Sequence, residues 1–175
     1  MSKLTMLRNV ICLILPFLSG CLGTPEGIKV VDGFELERYL GQWYEIARLD
    51  HSFERGLSKV TAEYTIRPQG GITVVNSGYD KKSDSWKEAN GKAFFVGEPT
   101  IGKLKVSFFG PFYGGYNIIE LDKENYQYAV ICGPNKSYLW ILAREKVIAP
   151  ELKDRLVAVA QNAGFAVDKL IWVEQ

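Results

Sequence analysis

The chain has 175 residues, of which 47% are apolar, 13% aromatic and 23% charged, with a formal net charge of +1. That balance excludes a disordered or low-complexity chain and fits one globular domain with one core. The near-neutral charge lacks the basic footprint of nucleic-acid binding, so no nucleic-acid partner is expected.

Residues 1–20, MSKLTMLRNVICLILPFLSG, open with Lys3 and Arg8, continue through the apolar run from Val10 to Leu18 and end in small residues. This is the pattern of a secretory signal peptide, and the run is well short of the ~20 residues a spanning helix needs. LSGC, residues 18–21, resembles the lipobox of bacterial lipoproteins, which implies cleavage before Cys21 and acylation of Cys21, with chains such as palmitate. Several acyl chains anchor a protein without any transmembrane helix. Leu22 rather than Asp follows the cysteine, which in such lipoproteins implies sorting to the outer membrane, here with the protein facing the periplasm. Cys12 leaves with the signal and Cys21 takes lipid, so Cys132 remains alone and no disulfide is expected. Residues 21–33 read as a lipidated N-terminus and tether, with a reach of only ~35–40 Å at ~3.3 Å per residue. Residues 34–175 form the folded domain.

From Trp43 onward, apolar residues recur with a spacing close to two, and turn residues interrupt them regularly. This predicts eight strands at about 43–50, 59–67, 72–80, 85–96, 103–109, 115–122, 126–133 and 138–144. A helix is predicted from Pro150, with Leu152, Leu156, Val159 and Ala163 on one face and Gly164 as its cap. KLIWV, 169–173, is a final short strand. Eight antiparallel strands closed on themselves leave no exposed edge, so the fold expected is an up-and-down β-barrel carrying one C-terminal helix.

GQWYEIAR (41–48), NYQYAVI (125–131, with Asp122 and Tyr126) and LWILAR ending in Arg144 resemble the three ordered signatures of the lipocalins. FERGL at 53–57 and GPFYGGYNII at 110–119, with the lipobox, are similar to the bacterial outer-membrane lipocalins from about residue 28 onward. The resemblance implies a calyx for small hydrophobic ligands, among them fatty acids and lysophospholipids, in lipid storage, transport or membrane maintenance. It also implies that Trp43 and Arg144 close one end of the barrel through a cation–π contact and carbonyl hydrogen bonds, as structural residues.

Strand alternation assigns Val60, Ala62 and Tyr64; Ile72, Val74 and Asn76; Leu104, Val106 and Phe108; Tyr116 and Ile118; and Tyr138, Trp140 and Leu142 to the inner face. Tyr128 and Val130 fit either face. The plain reading of this set is a packed core; with the resemblance it becomes a cavity wall. The ligand-binding residues expected are Tyr64, Asn76, Val106, Phe108, Tyr116, Tyr138 and Trp140, which combine apolar surface with hydroxyls and an amide. Arg48 and Arg55, near the mouth, are either solvated loop charges or contacts for a ligand carboxylate or phosphate.

Catalytic chemistry is poorly supplied. The only histidine, His51, sits between Asp50 and Ser52 and is expected as a solvated loop residue rather than part of a triad. Cys132 has no second cysteine or histidine near it in sequence, so neither a metal site nor a cofactor is expected, and the chain is read as a non-enzyme. FFGPFYGGY, 108–116, is a hairpin placing Phe108 and Tyr116 on the wall and Phe112 and Tyr113 on the rim, facing lipid, a membrane surface or a second protomer in a homodimer. The competing reading is an envelope structural or interaction protein that uses exposed aromatics and has no functional lipid cavity.

Overall fold

In the computed structural model, which describes residues 22–175, the alternating pattern folds as consecutive antiparallel hairpins. The strands are β1 (Gly41–Arg48), β2 (Leu57–Ile66), β3 (Ile72–Asp80), β4 (Ser85–Phe95), β5 (Lys103–Ser107), β6 (Gly114–Leu121), β7 (Tyr128–Cys132), β8 (Leu139–Ala143) and β9 (Ile171–Trp172). Neighbours pair in sequence from β2 to β8, β8 pairs with β1, and β1 returns to β2, which closes an eight-stranded barrel. The predicted signal peptide and Cys21 lie outside the described residues.

Two apolar cores follow from the period of two. One fills the lower barrel with Trp43, Ile72, Val74, Leu104, Ile118 and Leu142. The other joins the outer wall to helix α2 (Pro150–Asn162), where Val130, Leu139 and Ile141 meet Leu156, Ala160 and Phe165. Ala160, rather than Val159, is the buried residue one turn beyond Leu156. α2 starts on Pro150, whose missing N–H costs nothing in a first turn. It stops at Gly164, where φ is +79°, a conformation that glycine adopts without a Cβ clash, and the Phe165 N–H donates back to the Ala160 carbonyl at 3.1 Å.

Three features were not anticipated. A one-turn helix α1 (Leu36–Tyr39) precedes β1 and carries Tyr39 into the barrel floor. The segment expected as a free tether is instead held along the outer wall: the Val31 N–H donates to the Ile118 carbonyl at 2.9 Å, and the Gly102 N–H donates to the Val31 carbonyl at 2.8 Å. β1 pairs with β2 only over Gly41–Tyr44, and the last residues fill the seam above. There the Val173 N–H donates to the Ile46 carbonyl, the Lys59 N–H to the Glu174 carbonyl, and the Gln175 amide to the carbonyls of Glu45 and Val60.

The hairpin order gives the barrel two unlike ends. The β2–β3, β4–β5 and β6–β7 connections lie at the end covered by α1. The β1–β2, β3–β4, β5–β6 and β7–β8 connections surround the other end, which is open.

Candidate functional site

Inward-pointing residues of the strands enclose a cavity of about 660 Å³ that opens between the mouth hairpins. Tyr64, Asn76, Val106, Phe108, Tyr116, Tyr138 and Trp140 all line it, as do Val60, Ala62, Ile72, Val74, Leu104 and Leu142. Ile118, also assigned to the inner face, is fully buried in the interior cluster with Trp43 and Leu142 and close to Gly102, but does not line the cavity. The phase of β7, which alternation left undecided, is outward for Tyr128 and Val130, which pack toward α2, while Ile131 faces the cavity. Phe108 and Tyr138 sit just beyond the ends of β5 and β8 but keep their inward positions. A shallower depression of about 320 Å³, lined by Arg67, Thr73, Lys92 and Gly110 among others, is open to solvent and lacks an apolar enclosure.

Trp43 seals the floor. Its indole N–H donates to the Tyr39 carbonyl at 2.8 Å, and the Arg144 guanidinium lies 3.9 Å from its ring centroid. Arg144 donates to the carbonyls of Gln42, Arg38, Leu40 and Tyr126, so its charge ties the N-terminal segment to the barrel end. Above it, the Tyr116 hydroxyl lies 2.7 Å from that of Tyr39 and 2.8 Å from that of Tyr64. Burial raises all three phenol pKa values, so they stay protonated at neutral pH. Three hydroxyl protons serve two mutual bonds, which leaves one for an acceptor on a ligand. Asn76 adds a buried carbonyl oxygen with no protein partner.

The side wall holds a charged cluster that the sequence did not reveal. Arg48 is almost fully buried and donates to Glu45 at 2.6 Å and to the Glu54 carbonyl at 2.8 Å. It is therefore neither a solvated loop charge nor a free head-group contact. Arg55 is exposed but donates to both carboxylate oxygens of Asp50, with Nη2 at 2.6 Å. His51, expected in solvent, is buried: it stacks on Phe53 with centroids 3.9 Å apart, and Nε2 lies 3.0 Å from Glu54 Oε2 without hydrogen-bond alignment. Trp140 donates its indole N–H to the same Glu54 oxygen at 3.1 Å. Burial, and then the facing Glu54, push the Glu45 carboxyl well above the usual range against the pull of Arg48. Burial opposes ionisation of Glu54 too, but His51, Trp140 and Arg48 outweigh it and hold that carboxyl low. The i, i+3 spacings of Glu45 with Arg48 and of His51 with Glu54 were the available signal, obscured because strand and loop geometry, not helix geometry, brings them together.

Cys132 is buried on the outer face, and burial pushes its thiol up to about 12, which makes it a packing residue rather than a nucleophile. Among the described residues, no group of histidine, cysteine and acidic side chains is arranged to hold a metal ion.

The mouth is aromatic. Phe53, Trp86, Phe109 and Phe112 project from three of its hairpins with exposures of 59%, 60%, 79% and 77%. Of the two rim residues expected in the β5–β6 hairpin, Phe112 is free while Tyr113 leans on Phe94 and lies beneath Lys105. Lys87 is the cationic residue that lines the cavity.

Comparison with known proteins places this geometry. Residues 34–175 match the family model for the lipocalin-like domain. The chain is 55% identical over 166 residues to outer membrane lipoprotein Blc of Vibrio cholerae, covering 95% of this chain and 96% of that protein. It is 56% identical over 151 residues to outer membrane lipoprotein Blc of Escherichia coli K12, covering 86% and 85%. Among solved structures, insecticyanin from the tobacco hornworm Manduca sexta superposes with a TM-score of 0.69 at 23% identity, covering 89% of this chain and 90% of that one, a likeness of fold.

Proposed function

The chain belongs to the lipocalin family, and from that premise we propose that it is a membrane-anchored binding protein for single-chain lipids, fatty acids or lysophospholipids. The observation that carries this reading is the 660 Å³ cavity, open at one end and walled by aliphatic and aromatic side chains with a few polar groups. Its volume falls within the roughly 300–1,000 Å³ typical of small-molecule sites. Transfer of about ten methylenes from water contributes roughly 8 kcal/mol; after an association cost of at least about 4 kcal/mol this leaves about 4 kcal/mol, a millimolar affinity, so a micromolar ligand needs a longer buried chain and the polar contacts of the wall as well.

The polar end of the ligand sits at the mouth. A phosphate or carboxylate loses too much hydration to lie unpaired in the apolar interior. Arg48 is enclosed by the Glu45 side chain and the carbonyls of Glu54 and Leu57, and Arg55 is paired with Asp50, which leaves Lys87 as the cation on the cavity wall beside an entering head group. The buried hydroxyl proton at the floor suits a weakly polar acceptor instead. Residues 1–20 act as a lipoprotein signal peptide and Cys21 as the acylated residue, in keeping with the names of the two bacterial relatives and an outer-membrane location.

The alternative, an envelope interaction protein without a working cavity, draws on the exposed Phe109 and Phe112 but leaves the enclosed volume without a purpose. Native mass spectrometry of the mildly extracted protein separates the two. A bound single-chain lipid is expected; absence of endogenous lipid and of uptake of added palmitate or lysophosphatidylethanolamine refutes the binding reading. Trp140→Ala and Tyr64→Ala should each weaken that uptake about tenfold, or ~1.4 kcal/mol, with the barrel still folded.

A further inference from the structure

We propose that the open end of the barrel rests directly on the lipid bilayer that receives the Cys21 acyl chains, so that ligand passes between bilayer and cavity without crossing water. This rests on the lipid-anchor reading and adds an orientation to it. Two independent observations converge on the same end of the molecule.

The first is where the chain leaves the barrel. Asn117 is fully buried on β6, and its amide donates to the Gly23 carbonyl at 3.2 Å and to the Gly133 carbonyl at 3.1 Å. The Thr24 hydroxyl donates to the Asn117 carbonyl oxygen at 3.0 Å. Gly133 begins the β7–β8 mouth hairpin and lines the cavity. One asparagine side chain therefore pins the N-terminal segment beside the mouth, and Cys21 lies at most about 7 Å of extended chain from Gly23. An acyl chain attached there enters a bilayer next to the opening. Had the segment been free from residue 33, the anchor would have set no orientation.

The second is the chemistry of the rim. Phe53, Trp86, Phe109 and Phe112 are exposed around the opening, and phenylalanine and tryptophan side chains are the kind that bury at the boundary between head groups and acyl chains. The large apolar residues exposed at or near the opposite end, Ile66 and Val147, are aliphatic and isolated. Arg55, Lys81, Lys82 and Lys87 at the mouth stand among Asp50, Asp80, Asp84 and Glu88, so the contact is apolar rather than ionic and should persist in salt.

The test uses the full, lipidated chain in vesicles of phosphatidylethanolamine and phosphatidylglycerol, with a nitroxide at Phe112→Cys or Ile66→Cys. Both native residues are exposed, so both variants should fold. On reconstitution the Phe112 label is expected to gain oxygen accessibility and lose collisions with an aqueous nickel chelate, raising their ratio severalfold, while the Ile66 label stays aqueous. An aqueous Phe112 label, or an immersed Ile66 label, overturns the proposal. A Phe112 label shielded from both reagents with a second label within dipolar range identifies another copy of the chain at the mouth, and overturns it too. Failure of the anchor reading shows separately, as an intact mass without acyl groups on residue 21.

Discussion

At the closed end, Trp43 is wholly buried, its N–H bonded to a carbonyl and its face covered by Arg144; at the open end, Phe109 and Phe112 have neither cover nor partner. Both ends are rich in aromatic residues, so composition does not separate them. What separates them is the backbone around each ring. α1 and the N-terminal segment bring carbonyls that satisfy Arg144, which makes a lid over Trp43. The β5–β6 hairpin brings only a turn with glycine and proline, so Phe109 and Phe112 remain in solvent.

The largest effect expected from this contrast is on stability. Trp43→Ala removes a buried indole and the cation–π contact, and should cost about 3–5 kcal/mol in urea unfolding. A cost below about 1 kcal/mol would mean that the floor is not the stable end. An intermediate effect is expected on the side wall between the two ends. Folded Glu45 keeps its proton above the range of an unfolded glutamate, so its contribution is complete below about pH 4.5 and is lost as pH rises through the raised value. Glu54 works the other way, losing its contribution as pH falls. Glu45→Gln keeps an acceptor for Arg48 without the charge, so its unfolding free energy should fall less between pH 5 and 8 than that of the parent. Greater destabilisation at pH 8 than at pH 5 would instead make ionised Glu45 the required partner of Arg48. The smallest effect belongs to the rim: Phe112→Ser should change stability by less than about 0.5 kcal/mol, as expected for an exposed side chain.

The barrel was legible because its strands alternate and its turns are chemically distinct, as in Val60, Ala62 and Tyr64 followed by Pro68-Gln69-Gly70-Gly71. The same alternation placed the seven cavity residues on the inner face. It was blind to Ile131, because β7 is apolar on both faces, one toward the cavity and one toward α2. It was also blind to the Glu45–Arg48–Glu54–His51 cluster. Charged residues near a strand end read as solvated, and only the loop folding back over the barrel removes them from water. Tyr39 escaped notice since four residues are too few to show a helical period.

The seam above Tyr44 bears on the order of assembly. Gln175 bridges the carbonyls of Glu45 and Val60, and 130 residues separate it from Glu45. β1 can therefore complete its upper edge only after the far end of the chain arrives, and until then that edge offers unpaired carbonyls to any other strand. Such a long-range closure is slow compared with hairpin formation. The wall of the container is thus completed by the segment farthest in sequence from its first strand, so loss of the Gln175 contacts would leave the carbonyls of Glu45 and Val60 bare along a slit in the upper wall.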